Sequence, residues 1–208
     1  MSDSPFAALA PDRPLFAEFA ASVPHTMAVV AAVTDDQLDA PTPCADWDLS
    51  ALLNHVLWDA AAGARTGRHA PVPADASESP DADRLVGDWR SAYATAGAAA
   101  GDAWSQPGAW AGETSLGGGT LPAGAFGTLF LIDLIVHGWD VARATGRPYA
   151  PDEDAVGAVH EWLSTRAEIG RSTGAWGPPV PVPVAAPPLH RVLGLVGRDP
   201  HWGGEGTR

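Results

Sequence analysis

Asp133 and His137 stand four residues apart in one long apolar stretch, and His55 lies in another. On a helix, residues i and i+4 share a face with their Cβ atoms about 5–6 Å apart, a spacing that one metal ion can bridge. Facing each other from two helices, the two imidazoles and one carboxylate suit zinc first, and nickel or iron less discriminately. Three protein ligands leave coordination positions for water and substrate, whereas a closed structural site would normally want a fourth. The same spacing allows a plainer arrangement, in which Asp133 and His137 form a buried hydrogen-bonded pair and His55 satisfies a backbone carbonyl.

Neighbouring residues are weighed the same way. Asp140, three after His137, points partly off that face and is read as a salt-bridge partner of Arg143 or a packing residue. Asp59, four after His55, is placed to orient that imidazole as an acceptor. Cys44 sits near a helix start, where the dipole favours a thiolate, but no His or Asn is placed beside it, and a buried thiol is the expected state. Trp47 and Trp139 read as core and helix-packing residues. His25, His69, His160, His190 and His201 lack partners at ligand spacing and read as surface or packing histidines. Arg198 and Asp199 are expected to tie the tail to the bundle. The run Gly117-Gly118-Gly119 lacks the apolar strand and motif of a phosphate loop.

Helices must position these groups. Apolar residues recur at three- and four-residue steps from Pro14 to Val33, with Pro24 inside the run as an expected kink or interruption. A second helix opens at Asp46 to Ser50, capped by Asp48 or Asp46, and carries His55 beside the stripe Leu49, Leu52, Leu53, Val56 and Leu57. Residues 68–80 read as a loop, 81–104 as a third helix, and 105–120 as a second long loop. The fourth helix, about 122–145, is apolar nearly all round, so Asp133 and His137 within it are costly unless paired or ligated. A fifth helix is expected at 151–172, an extended or edge segment at 177–188, and a short helix at 188–196. The whole of 1–208 reads as one all-α domain, with 1–11 and 203–208 as flexible termini.

Composition narrows the partners. Twelve basic residues, all Arg, against 25 acidic ones give a formal charge of −13, which argues against nucleic acid or an anionic membrane surface. The absence of Lys removes Schiff-base chemistry. A single cysteine excludes an intramolecular disulfide and a thiolate cluster, so a metal must be held by His and carboxylate. No basic stretch leads into a long apolar one at the start, so the expected location is cytoplasmic.

The stretch Thr34 to Leu49, TDDQLDAPTPCADWDL, followed by LLNHV at Leu52 to Val56, resembles the N-terminal signature of the mycothiol-dependent maleylpyruvate isomerase-like proteins, a branch of the DinB-like superfamily. DLIVHGWDVARATG, Asp133 to Gly146, resembles their second signature. VLGLVGRDPHW, Val192 to Trp202, resembles the ending of the actinobacterial metal-binding members. The resemblance implies a four-helix bundle with long crossovers and additional short C-terminal helices. It also implies a metal held by His55, Asp133 and His137. The isomerase itself carries Glu where this chain has Asp133, a side chain shorter by one methylene.

The function so implied is metal-dependent. A low-molecular-weight thiol such as mycothiol, bound as a metal thiolate, would add to an electrophilic small molecule, in a transferase or a thiol-assisted isomerase. The Trp-lined mouth and the 105–120 loop would shape the substrate site. Two rivals remain open: a thiol-independent metal hydrolase or lyase, and a non-catalytic metal-binding protein, as a homodimer, in which the ion only fastens helices two and four.

Overall fold

A computed structural model of the protein describes residues 9–44, 47–70, 83–116 and 119–203. Its frame is four helices: α1 Phe16–Ala31, α2 Leu49–Thr66, α3 Trp89–Trp104 and α4 Ala123–Ala144. Helix α1 packs on α3 and α4, and α2 packs on the same two, which closes a bundle around a common interior. Two further helices, α5 Glu153–Ser172 and α6 Pro188–Leu195, pack on each other, with α5 also lying against α1 and α4. The expected all-α bundle with long crossovers and an added C-terminal segment is the observed one.

Local chemistry sets where the helices begin. Asp48 caps α2 by accepting from the Ala51 amide at 2.8 Å, satisfying a donor that the first turn leaves open. Asp46, the alternative cap, lies outside the described residues. Leu49, Leu52 and Leu53 are fully buried and turn one stripe of α2 inward. Helix α1 runs through Pro24 without being interrupted. Helix α3 is shorter than its sequence pattern suggests, because Gly87 turns the chain at φ +56° and Asp88 then caps the helix through the Ser91 amide at 3.1 Å. The remainder of the expected helix before residue 83 lies outside the described residues.

The stretch expected as a loop at 105–120 carries structure of its own. A 3₁₀ turn at Pro107–Trp110 leads into β1 Glu113–Leu116, which pairs antiparallel with β2 Gly119–Pro122, Thr114 facing Leu121. Trp110 anchors this hairpin: its ring meets Trp104 edge-on at 5.3 Å, and its Nε1 donates to the Trp104 carbonyl at 2.8 Å. Strands of four residues are too short to reveal themselves by alternation. Gly117 and Gly118 lie outside the described residues. Residues 177–187 form no strand; there the Val180 amide donates to the Gly194 carbonyl at 2.9 Å.

Of the termini expected to be loose, 1–8 and 204–208 lie outside the described residues. Residues 9–11 are packed, contrary to that expectation. Leu9 is buried in the core cluster, and its carbonyl accepts from Trp162 Nε1 at 3.1 Å, so apolar burial and one bond to α5 hold the segment down. Helix α4 is long and apolar enough to cross a membrane by length and composition, yet it is the central helix of this bundle, buried along most of its length.

Candidate metal centre

One turn of α2 and one turn of α4 face each other across the bundle interior, each carrying a His and an Asp four residues apart. On α2, His55 Nε2 lies 3.1 Å from Asp59 Oδ2. On α4, His137 Nε2 lies 3.9 Å from Asp133 Oδ1. The two imidazoles meet edge to face, with ring centroids 5.1 Å apart. Donor atoms of His55, Asp59 and His137 all lie within 4.8 Å of one another. Asp133 joins them through His137, and Asp59 acts on it electrostatically. The helical spacing thus puts Asp133 beside His137 and Asp59 beside His55, and packing of α2 on α4 puts the pairs together.

Each imidazole is held from behind. His137 Nδ1 donates to Asp140 Oδ2 at 3.0 Å, which leaves Nε2 facing the cluster. Asp140 is fully buried and is in turn paired with Arg198, whose Nε lies 3.2 Å from Asp140 Oδ1. A buried carboxylate needs such a partner, since an unpaired charge in an apolar interior is strongly disfavoured. The expected partner of Asp140 was Arg143. That guanidinium is instead turned toward the Trp202 carbonyl, and the chain after α6 delivers Arg198 in its place. His55 is held between indoles, its centroid 5.1 Å from Trp47 and 6.2 Å from Trp58. Trp47 also lies 6.3 Å from His137, so this half-buried ring packs on the two histidines, whereas Trp139 is buried in the core as expected.

Cys44 is buried, as the sequence suggested, and its Sγ accepts from Arg198 Nη2 at 3.0 Å. Its sulfur also lies close to His137 and Asp140, but the Arg198 guanidinium bonds both Cys44 and Asp140. A permanent cation already fills that set, so it does not suit a metal ion.

The front cluster is different. Asp133 and Asp59 share a cavity with the apolar side chains of α1, α3 and α4, and no guanidinium lines it. Burial pushes the Asp133 carboxyl up to about 6, with the Asp59 charge adding to the rise and His137, His55 and Arg198 opposing it. About a third of the Asp133 side chain remains open, toward the cavity. Two carboxylates and two imidazoles converging in a greasy interior fit a divalent cation, which would neutralise the acids and use the imidazole Nε2 atoms. The described residues supply a back layer for it as well, since a ligating His almost always donates its other nitrogen to a carboxylate or carbonyl. Sequence reasoning had Asp59 only as an orienting acceptor. The i+4 spacing to His55 was its signal, and nothing in the sequence placed it near Asp133.

The fold and this cluster together define a class: a four-helix bundle with a His-and-carboxylate centre between its second and fourth helices. By comparison with known sequences, the chain belongs to the family described as the mycothiol maleylpyruvate isomerase N-terminal domain, whose profile matches residues 19–142. Uncharacterized proteins from two strains of Mycobacterium tuberculosis, CDC 1551 / Oshkosh and ATCC 25618 / H37Rv, are each 32% identical over 175 residues, covering 82% of this chain and 90% of the relative. The solved mycothiol-dependent maleylpyruvate isomerase is similar in fold, with a TM-score of 0.55 at 18% identity over 79% of this chain and 73% of that one. A point mutant of it gives 0.52 at 15% identity, over 73% and 67%. The resemblance read from the motifs is therefore the family of the chain, and the DinB-like bundle is its fold.

Proposed function

We propose that the protein is a metal-dependent enzyme acting on a small molecule, by thiol transfer or thiol-assisted isomerisation. His55, Asp133 and His137 hold a divalent ion, zinc in the first instance, and Asp59 stands beside them as a further oxygen donor. One observation carries this reading: Asp59, Asp133 and His137 line one end of a cavity whose other walls are almost entirely apolar, and His55 lies within 4.8 Å of the Asp59 and His137 donor atoms. Family membership supports the thiol as co-substrate, with mycothiol the thiol that the family description names.

When bound, the ion supplies a lowered pKa for a thiol or water at neutral pH. The chain's own residues do the rest. Asp140 and Arg198 fix the tautomer and ring plane of His137. Trp47 and Trp58 confine His55. The apolar walls keep bulk water from the reacting groups, which strengthens each electrostatic contact there.

Metal analysis of the purified protein, followed by an assay of thiol consumption with an electrophile, tests the proposal. About one zinc per chain and consumption that needs both metal and thiol is the expected result. Turnover with metal but without thiol would favour a hydrolase or lyase, and a chain that retains no stoichiometric metal would remove the basis of the reading.

A further inference from the structure

The cleft at the centre of the bundle is narrow, spans about 460 Å³ of space between atoms only when the open solvent at its mouth is included, and has a polar end and an apolar body. Asp59, Asp133 and His137 form the polar end. Phe19, Val23, Met27, Val56, Phe130 and Leu134 wall the body. Room exists there because helices α2 and α3 turn small residues inward, Ala60 and Gly63 from one and Gly97 and Ala100 from the other. The body offers little polarity. Thr26 Oγ1 is already bonded to the Leu134 carbonyl at 2.7 Å, and Tyr93 presents a neutral phenol.

Charge decides what such a space accepts. The chain has twelve cationic side chains, all Arg, and none of the eleven described ones lines the cavity. Arg198, which acts electrostatically on Asp133, is already paired with Asp140 and Cys44 behind His137. A divalent ion offsets the two carboxylates and leaves the end near neutral. It leaves no cation for an acid group placed in the body, where an unpaired carboxylate is strongly disfavoured. Maleylpyruvate, the compound for which the solved relatives are named, has two carboxylates at neutral pH, and a second carboxylate would lie among Phe, Val and Met side chains.

We infer that the substrate of this site is an uncharged, mostly apolar electrophile, with its body between α1, α2, α3 and α4 and its one polar group at the His/Asp end, and that carboxylated analogues are excluded. This deepens the proposed function and rests on taking the polar end as the reaction centre.

The test uses two probes that differ only in charge: the neutral enone 4-phenylbut-3-en-2-one and the same enone with a carboxylate para on its ring. Their affinity for the full-length, zinc-replete protein is measured by calorimetry or ligand-observed NMR. Zinc content is measured on the same samples. The expected result is saturable binding of the neutral enone and at least tenfold weaker binding of the carboxylate. Ala60→Leu should weaken the neutral enone at least tenfold with zinc content unchanged. Gly63→Ala is the second variant; its Cβ meets Ala100 and Phe130 at ordinary distances of 3.7 and 3.8 Å, so it trims the cavity without disturbing the helices. Equal or tighter binding of the carboxylate, absence of neutral binding, or indifference to both variants would overturn the inference. Charge-selective binding to a protein that holds no zinc would instead sink the metal-centred function while leaving the substrate class standing.

Discussion

His137 and Asp140 are joined by a 3.0 Å hydrogen bond from Nδ1 to Oδ2 in the buried interior, and Arg198 closes the unit by pairing with the same carboxylate. Two residues on α4 and one from the chain after α6 thus fix which nitrogen of His137 faces the cavity. Asp140→Asn keeps the shape and removes the charge, and zinc affinity should fall about 10–100-fold. Asp140→Ala leaves Arg198 buried without its carboxylate and should cost about 3–5 kcal/mol in urea unfolding. Wild-type zinc affinity in Asp140→Asn would show that the unit is only a packing device.

His137→Ala should lose bound metal while keeping its far-ultraviolet circular dichroism, since removal of one half of the cluster leaves the helix stripes intact. In the unchanged chain, zinc at a hundredfold excess over its Kd should stabilise by about 2.7 kcal/mol, and a chelator should lower Tm accordingly. A Tm indifferent to zinc and chelator would mean that no ion binds the native state preferentially.

Asp133 gives the protein a pH dependence of defined sign. Its carboxyl is raised from 3.8 to about 6 in the fold, so the folded state favours the protonated form. The stability this contributes is complete below pH 3.8 and is lost as pH rises through about 6. The metal-free protein should therefore lose stability across that window relative to Asp133→Asn, while zinc affinity should rise over the same window as the carboxylate forms. Paired titrations of the two proteins check this, and parallel curves would contradict it.

Asp59 touches His55 at 3.1 Å and lies within reach of His137. Replacing it with Asn should weaken zinc binding at least tenfold and alter the visible spectrum of the cobalt-substituted protein if its oxygen is a donor. Weaker binding with an unchanged cobalt spectrum would make Asp59 only the residue that orients His55.

Gly138 is the residue after His137, and a Cβ there would come within 2.5 Å of the Tyr149 hydroxyl and 2.7 Å of Thr26 Oγ1. Those two hydroxyls pin α1 and the segment after α4 to the Leu134 carbonyl. Gly138→Ala should cost about 1–3 kcal/mol by overpacking and weaken zinc binding by shifting His137. A melting curve and a zinc titration together check it; full stability would mean that Tyr149 swings away freely.

The residues themselves determined that this is an all-α bundle and where four of its helices run, and they single out His55, Asp133 and His137 as candidate ligands. Those properties are local: hydrophobic period, a cap such as Asp48, and the i+4 step that puts Asp133 under His137 follow from neighbours within a few turns. The partner of Asp140 was not local. Arg143, one turn away on the same helix, was the natural choice by spacing, and Arg198, 58 residues on, takes the bond because the chain after α6 returns to α4. The hairpin formed by Glu113–Leu116 and Gly119–Pro122 is not legible in the sequence for a related reason, since contacts of Trp110 with Trp104 hold its approach in place and its own strands are short. Asp59 joins Asp133 only through the packing of α2 on α4, and the apolar slot beside them exists only where Ala60, Gly63, Gly97 and Ala100 from two helices face one space. Spacing along the chain sets what one helix presents, and the meeting of separate helices sets which charges neutralise one another and what is left for a ligand to fill.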